Sequence, residues 1–136
     1  MTAERTTSSE ANRCFVCGPS NPIGLHVTFR LDGQLCRAEF TPGPHLEGYP
    51  GMTHGGILYS ALDDVMANWL HLRGIRGHTA RCEVRYREPL PIGTPVRLEG
   101  WMTRRRGRLV LLAGRAVRCD NGAVVAESTA SFMVIE

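Results

Sequence analysis

The sequence predicts an α+β domain in which a curved antiparallel sheet of about six strands wraps around one long central helix. Three observations carry that expectation. One segment, roughly 56–72, repeats apolar residues at helical spacing; short alternating segments lie on both sides of it; Gly, Pro and Asn pairs separate those segments at hairpin spacing. An apolar helix must bury its stripe, and one face of an antiparallel sheet is the partner such strands can supply.

Taken in order, residues 1–12 are polar and aperiodic and read as a disordered tail, and 13–136 read as one domain. The string CFVCGPSNPIG, from Cys14 to Gly24, is dense in turn formers and reads as a structured loop. Val27, Phe29 and Leu31 share one face of a first strand, which His26 starts, and Cys36, Ala38 and Phe40 share one face of a second. Asp32-Gly33 is the turn between them. The loop TPGPHLEGYPGMTHGG then leads into the helix, roughly Gly56 to Leu72. Ile57, Leu58, Ala61, Leu62, Val65, Met66, Trp69 and Leu70 form its apolar stripe. Ser60, Asp64 and Asn68 line up four apart as a polar strip, where a solvated carboxylate belongs, and Gly74 and Gly77 mark the end. Beyond it Cys82, Val84 and Tyr86 alternate with Glu83, Arg85 and Arg87, and the string at 89–93 turns the chain. Segments 96–103, 109–119 and 124–135 read as three long strands, divided by the turns Arg106-Gly107 and Asp120-Asn121-Gly122. A single sheet leaves free edges, so self-association through an edge is expected.

Composition removes several function classes. A chain of 136 residues buries roughly two thirds of its unfolded surface and needs no metal or disulfide staple. The formal charge is only +3, without a basic face, so nucleic acid is not an expected partner. All 16 basic residues are arginine, a balance that arginine-rich codon usage on a solvated surface accounts for at most positions. No segment nears the ~20 apolar residues of a membrane span, and MTAERTTSSEANR lacks the apolar core of a signal peptide. A cytoplasmic protein is expected. Five cysteines, Cys14, Cys17, Cys36, Cys82 and Cys119, are an odd number and read as reduced thiols. Cys14-x-x-Cys17 has no second such pair and only His26 as a nearby imidazole, so no metal is expected and the pair reads as local packing.

The chemistry concentrates in Gly51-Met-Thr-His-Gly-Gly56. Two glycines at a helix start either permit close packing or expose backbone N–H groups at the positive end of the dipole, where a developing oxyanion is stabilised. Asp63 lies off the polar strip, turned toward Tyr59, Met66 and Ala67, and roughly 10 Å along the axis from Gly56. Within one chain the two cannot meet at one atom. Across a two-fold interface with antiparallel helices, the Asp63 of one subunit faces the glycines of the other.

His54-Gly-Gly, then Asp63 nine residues on in HGGILYSALD, then TARCEVRYREPLPIG, resemble the hotdog-fold acyl-CoA thioesterases, in particular the PaaI-like branch with the mammalian thioesterase-superfamily members. CFVCGPSNPIGL and EGYPGMTHGG extend the likeness from Cys14 to the C-terminus. The resemblance implies a hotdog fold, homodimers or dimers of dimers with shared sites, and hydrolysis of acyl-CoA, or of an acyl group on carrier protein, without a cofactor. It implies Gly55, with Gly56 beside it, as donors to the thioester carbonyl, Asp63 as base or nucleophile, Thr79 as the hydroxyl that orients water, and His54 in a positioning role. One departure is Gly48, where some members carry asparagine or another polar residue; it leaves His54 and the backbone as the carbonyl's polar partners.

Arg104, Arg105, Arg106 and Arg108 sit at an expected hairpin turn, as a solvated tip or as a clamp for the phosphates of coenzyme A, with Arg85 and Arg87 as competing contacts. Two other readings of the same motifs are a non-catalytic acyl-CoA-binding protein and an enoyl-CoA hydratase or dehydratase, which uses a histidine paired with an acidic residue.

Overall fold

The computed structural model describes residues 11–135. The tail expected over 1–12 lies outside the described residues except at Ala11 and Asn12, whose carbonyls accept from the Cys14 and Ser20 amides at 3.1 and 2.9 Å. Six strands and one long helix follow in the order β1 (Arg30–Asp32), β2 (Leu35–Phe40), α1 (Gly55–His71), β3 (Gly77–Tyr86), β4 (Val96–Arg106), β5 (Leu109–Arg118) and β6 (Val124–Val134). They form one sheet in the order β1-β2-β4-β5-β6-β3, every neighbouring pair antiparallel.

The helix is the filling of this sheet. Leu58, Ala61, Leu62, Val65, Met66, Trp69 and Leu70 are buried against Phe29, Leu98, Val110, Leu112 and Phe132 of the sheet and its approach. Two glycines set how closely helix and sheet approach. Gly100 and Gly114 are directly paired across β4 and β5. A Cβ on Gly100 would fall 3.0 Å from the Val65 carbonyl oxygen of α1, and one on Gly114 would fall 3.4 Å from Met66 of α1 and 2.6 Å from the Ser128 hydroxyl of the neighbouring strand β6. Only glycine leaves that room.

The first strand is shorter than its alternation suggests. His26, expected to start it, adopts a left-handed φ of 56°. The Leu25 and Val27 amides donate to the Phe15 and Val16 carbonyls of the N-terminal loop instead of to β2. The arginine run also differs from its expected turn: Arg104, Arg105 and Arg106 belong to β4, and the reversal itself falls on Gly107, at φ 62°.

At one edge of the sheet β1 has three residues. At the other, β3 has ten, is exposed along most of its length, and among the described residues pairs only with β6. No helix among the described residues is long and apolar enough to cross a membrane.

Candidate active site

The helix start is built by His54. It holds extended backbone angles as the N-cap, and its Nδ1 accepts the Gly56 N–H at 2.8 Å. That bond requires an unprotonated Nδ1 and satisfies one of the amides a helix start leaves open. It also removes Gly56 from the expected donor pair, because its N–H is already engaged by the imidazole. The Gly55 N–H has no acceptor among the described residues. Gly55 lines a cavity of about 550 Å³ with Gly48, Tyr49, Thr53 and His54. Gly48, the departure from the resembled pattern, lies directly against His54: a Cβ there would sit 3.1 Å from the His54 Cα.

Strand β3 runs antiparallel to α1 and is fastened to it by three hydrogen bonds. Tyr86 donates its hydroxyl to the Gly55 carbonyl at 2.7 Å, Tyr59 donates to the Cys82 carbonyl at 2.7 Å, and Thr79 donates to Asp63 Oδ1 at 2.9 Å. Gly55, Tyr59 and Asp63 are four residues apart and so lie on one helix face. That face runs along the free edge strand. A register shift between Thr79 and Arg81 bulges β3 beside Thr79. Burial raises the Asp63 carboxyl above its usual value, opposed by the Thr79 hydrogen bond.

The structure thus brings Thr79 to Asp63 and His54 to Gly56. It leaves Asp63 and Gly55 about 12 Å apart along one helix. Sequence reasoning missed Tyr86. Its alternation with Arg85 and Arg87 placed it on the helix-facing side of β3, and that was the available signal.

The arginines stand apart. Arg85 projects from the outer face of β3 beside Glu83 and Glu127, and Arg87 pairs with Glu127 at 3.0 Å. Arg105 donates to Gly107 in the β4–β5 turn, and Arg108 of that turn donates to Val134 at the end of β6. Arg104 and Arg106 are exposed beside Leu109 and Leu111.

On the other flank of α1, the polar strip is solvated at Ser60 but covered toward Asn68. The loop at 14–17 covers that end, so that Asn68 is only 3% exposed. Asp64 accepts from Asn68 Nδ2 at 3.1 Å and lies 3.7 Å from Cys14 Sγ. Hydrogen bonding from Cys17, whose amide lies 3.4 Å from the sulfur, draws Cys14 down to about 5, while burial lifts Asp64 to about 7. Cys14, Cys17 and Asp64 are the one group of three His, Cys, Asp or Glu residues among the described residues whose ligand atoms converge closely enough for a metal ion.

The model of the family described as Thioesterase superfamily matches residues 50–125, which hold the His54 cap, α1, β3, β4 and β5. The chain belongs to the thioesterase superfamily. Among relatives of this thioesterase-superfamily chain, acyl-coenzyme A thioesterase THEM4 of Xenopus laevis is 35% identical over 95 residues, covering 69% of this chain and 42% of that protein. The chain spans about two fifths of the length of the curated relatives it matches. A solved thioesterase superfamily protein superposes with a TM-score of 0.83 at 29% identity, over 90% of this chain and 60% of that one. The Escherichia coli PaaI protein, from the phenylacetic acid degradation operon, shares the fold with a TM-score of 0.76 at 16% identity, over 82% of this chain and 81% of that one. The hotdog architecture read from the sequence is therefore the fold of this thioesterase-superfamily chain.

Proposed function

We propose that the protein hydrolyses the thioester of an acyl-coenzyme A to the free acid and coenzyme A, at sites shared between two copies of the chain. The observation that carries this reading is the placement of Gly55 and Asp63 on one helix face along the unpaired edge of β3. Pairing two β3 edges about a two-fold axis sets two α1 helices antiparallel, and Asp63 of one copy then faces Gly55 of the other. The relative named an acyl-coenzyme A thioesterase supports the substrate class.

In this reading the Thr79 hydroxyl occupies Asp63 Oδ1, leaving Oδ2 to take a proton from water. The resulting hydroxide attacks the carbonyl carbon. The oxygen becomes an oxyanion held by the Gly55 N–H at the positive end of α1, a donor effect worth about 3–4 kcal/mol where measured. Collapse expels the thiolate of coenzyme A, which recovers the proton. His54 holds the helix start in shape and lines the acyl-side cavity. Arg85, Arg104, Arg105, Arg106 and Arg108 remain as phosphate contacts contributed across the assembly, with Arg87 less available because Glu127 holds it.

The test is thiol release from a panel of acyl-coenzyme A thioesters. Asp63→Asn loses about 100-fold or more in kcat while the assembly persists; full activity in that variant sinks the assignment. Sharing is tested by co-expressing Asp63→Asn with Gly55→Val. Mixed dimers hold one intact site, so roughly a quarter of wild-type activity returns in a statistical mixture. A mixture as inactive as its parents rules out the shared site. Tight binding without turnover by the wild type supports the non-catalytic reading, and hydration of an enoyl-coenzyme A with the thioester intact supports the hydratase.

A further inference from the structure

We infer that Cys14, Cys17 and Asp64 form a binding site for a thiophilic divalent cation, zinc above all, on the flank of α1 opposite the β3 edge. Their ligand atoms lie within 4.8 Å of one another. Tetrahedral zinc, with bonds of about 2.3 Å to sulfur and 2.0 Å to oxygen, sets its sulfur–oxygen edges near 3.5 Å. The Cys14 Sγ stands 3.7 and 3.8 Å from the two Asp64 oxygens. A cation between them requires only a small contraction.

The loop is shaped to present both sulfurs. The Gly18 amide closes back on the Cys14 carbonyl at 2.8 Å, and the Cys17 amide points at Cys14 Sγ from 3.4 Å. A Cβ at Gly18 would fall 2.3 Å from the Cys14 nitrogen, so this reversal admits only glycine. Amide donation favours the thiolate, which is the ligating form.

Two further observations single out Asp64 and its neighbour Asn68. Two sulfurs crowd the Asp64 carboxylate. Asn68, nearly fully buried, donates Nδ2 to Asp64 Oδ2 and approaches Cys17 Sγ at 3.9 Å, while its Oδ1 has no partner. An amide that donates to a ligating carboxylate is the outer support metal sites use to orient their ligands. A cavity of about 260 Å³, lined also by His71 and His78, opens over the three groups and leaves room for a fourth ligand from water or imidazole. Sequence alone offered the cysteine pair only His26 as a nearby imidazole; the fold instead supplies Asp64, from a helix fifty residues beyond Cys14. Bound there, the ion would tie the N-terminal loop to α1 at the residue next to Asp63.

The experiment loads the reduced full-length chain with zinc, removes free metal by desalting and measures retained zinc by mass spectrometry, with cobalt(II) as a spectroscopic substitute. Near-stoichiometric zinc and a sulfur-to-cobalt charge-transfer band are expected. Cys14→Ser and Asp64→Asn each weaken binding about 100-fold or more, Asn68→Ala by 10- to 100-fold, and Cys119→Ser, at an exposed and remote thiol, not at all. Asp64→Asn keeps the charge-transfer band at saturating cobalt because both sulfurs remain, which separates ligand loss from unfolding. Zinc content no higher than that of a Cys14→Ser, Cys17→Ser double variant overturns the site. So does a reduced wild type that takes up no cobalt and instead reoxidises to a Cys14–Cys17 disulfide.

Discussion

Thr79 Oγ1 donates to Asp63 Oδ1 at 2.9 Å, joining the middle of α1 to the start of the edge strand β3. The bond fixes one carboxylate oxygen and leaves the other open toward the edge at which a second copy is proposed to pair. Thr79→Ala therefore lowers kcat by about 10-fold with little change in KM, because it frees the base without removing it. Thr79→Ser restores the hydroxyl and most of the rate. Steady-state thiol release over a range of acyl-coenzyme A concentrations checks both, and an equal loss in the alanine and serine variants removes the orienting role.

The His54 imidazole is the cap of α1 through its Nδ1 contact with the Gly56 amide. His54→Ala leaves that amide unpaired and costs about 1 kcal/mol of stability. His54→Asn, which caps with a shorter acceptor, recovers part of it. Thermal unfolding followed by circular dichroism measures the difference. Unchanged melting in His54→Ala shows that the cap carries no stability.

Much of this architecture was legible in the chain because periodicity reports burial. The stripe from Leu58 to Leu70 has the 3.6-residue repeat of a helix seated on a sheet, and Val96, Leu98, Val110 and Leu112 have the two-residue repeat of strands facing it. What stayed hidden was set by long-range contact. Asp64 and Asn68 read as solvated because no local pattern shows that the loop around Cys14 folds over them. Gly56 read as a free donor because whether His54 turns its ring back onto the next amides depends on the φ and ψ of residue 54, to which spacing is blind. Tyr59 read as a helix neighbour of Asp63 and Tyr86 as a strand residue, and their bonds to Cys82 and Gly55 exist only once β3 lies along α1.

Gly100 of β4 packs against the backbone of α1 at Val65 and Met66. Gly100→Ala places a methyl 3.0 Å from the Val65 carbonyl oxygen, which is helix backbone and yields little. A loss of about 1–3 kcal/mol is expected, read as a lower urea midpoint with an unchanged slope. Gly33→Ala, at a turn with open space around it, tests the distinction. Its cost is conformational, from the positive φ of 62°, and is smaller, about 1 kcal/mol.

Some of the arginines that composition singled out serve Glu99. Its cross-strand partners are Arg37 on β2 and Arg115 on β5, and Arg97 lies two residues back on the same strand. Glu99 is 4% exposed and accepts from Arg115 at 2.7 Å and Arg97 at 3.2 Å. Burial pushes its carboxyl up, but Arg115 and Arg97 outweigh burial and hold it below its ordinary value of 4.5. A carboxyl whose folded pKa is depressed stabilises the fold above its unfolded pKa and loses that contribution as pH falls through the folded value. Glu99→Gln is therefore destabilised by about 1–3 kcal/mol near pH 7, a modest figure because the arginines are partly solvated. The gap to wild type holds down to about pH 5 and closes as pH falls below the ordinary value of 4.5 and through the depressed folded one. Urea unfolding of both proteins at several pH values from neutral to 3 measures it, and a gap that stays constant into acid shows that the ionised carboxylate is not what holds the three strands together.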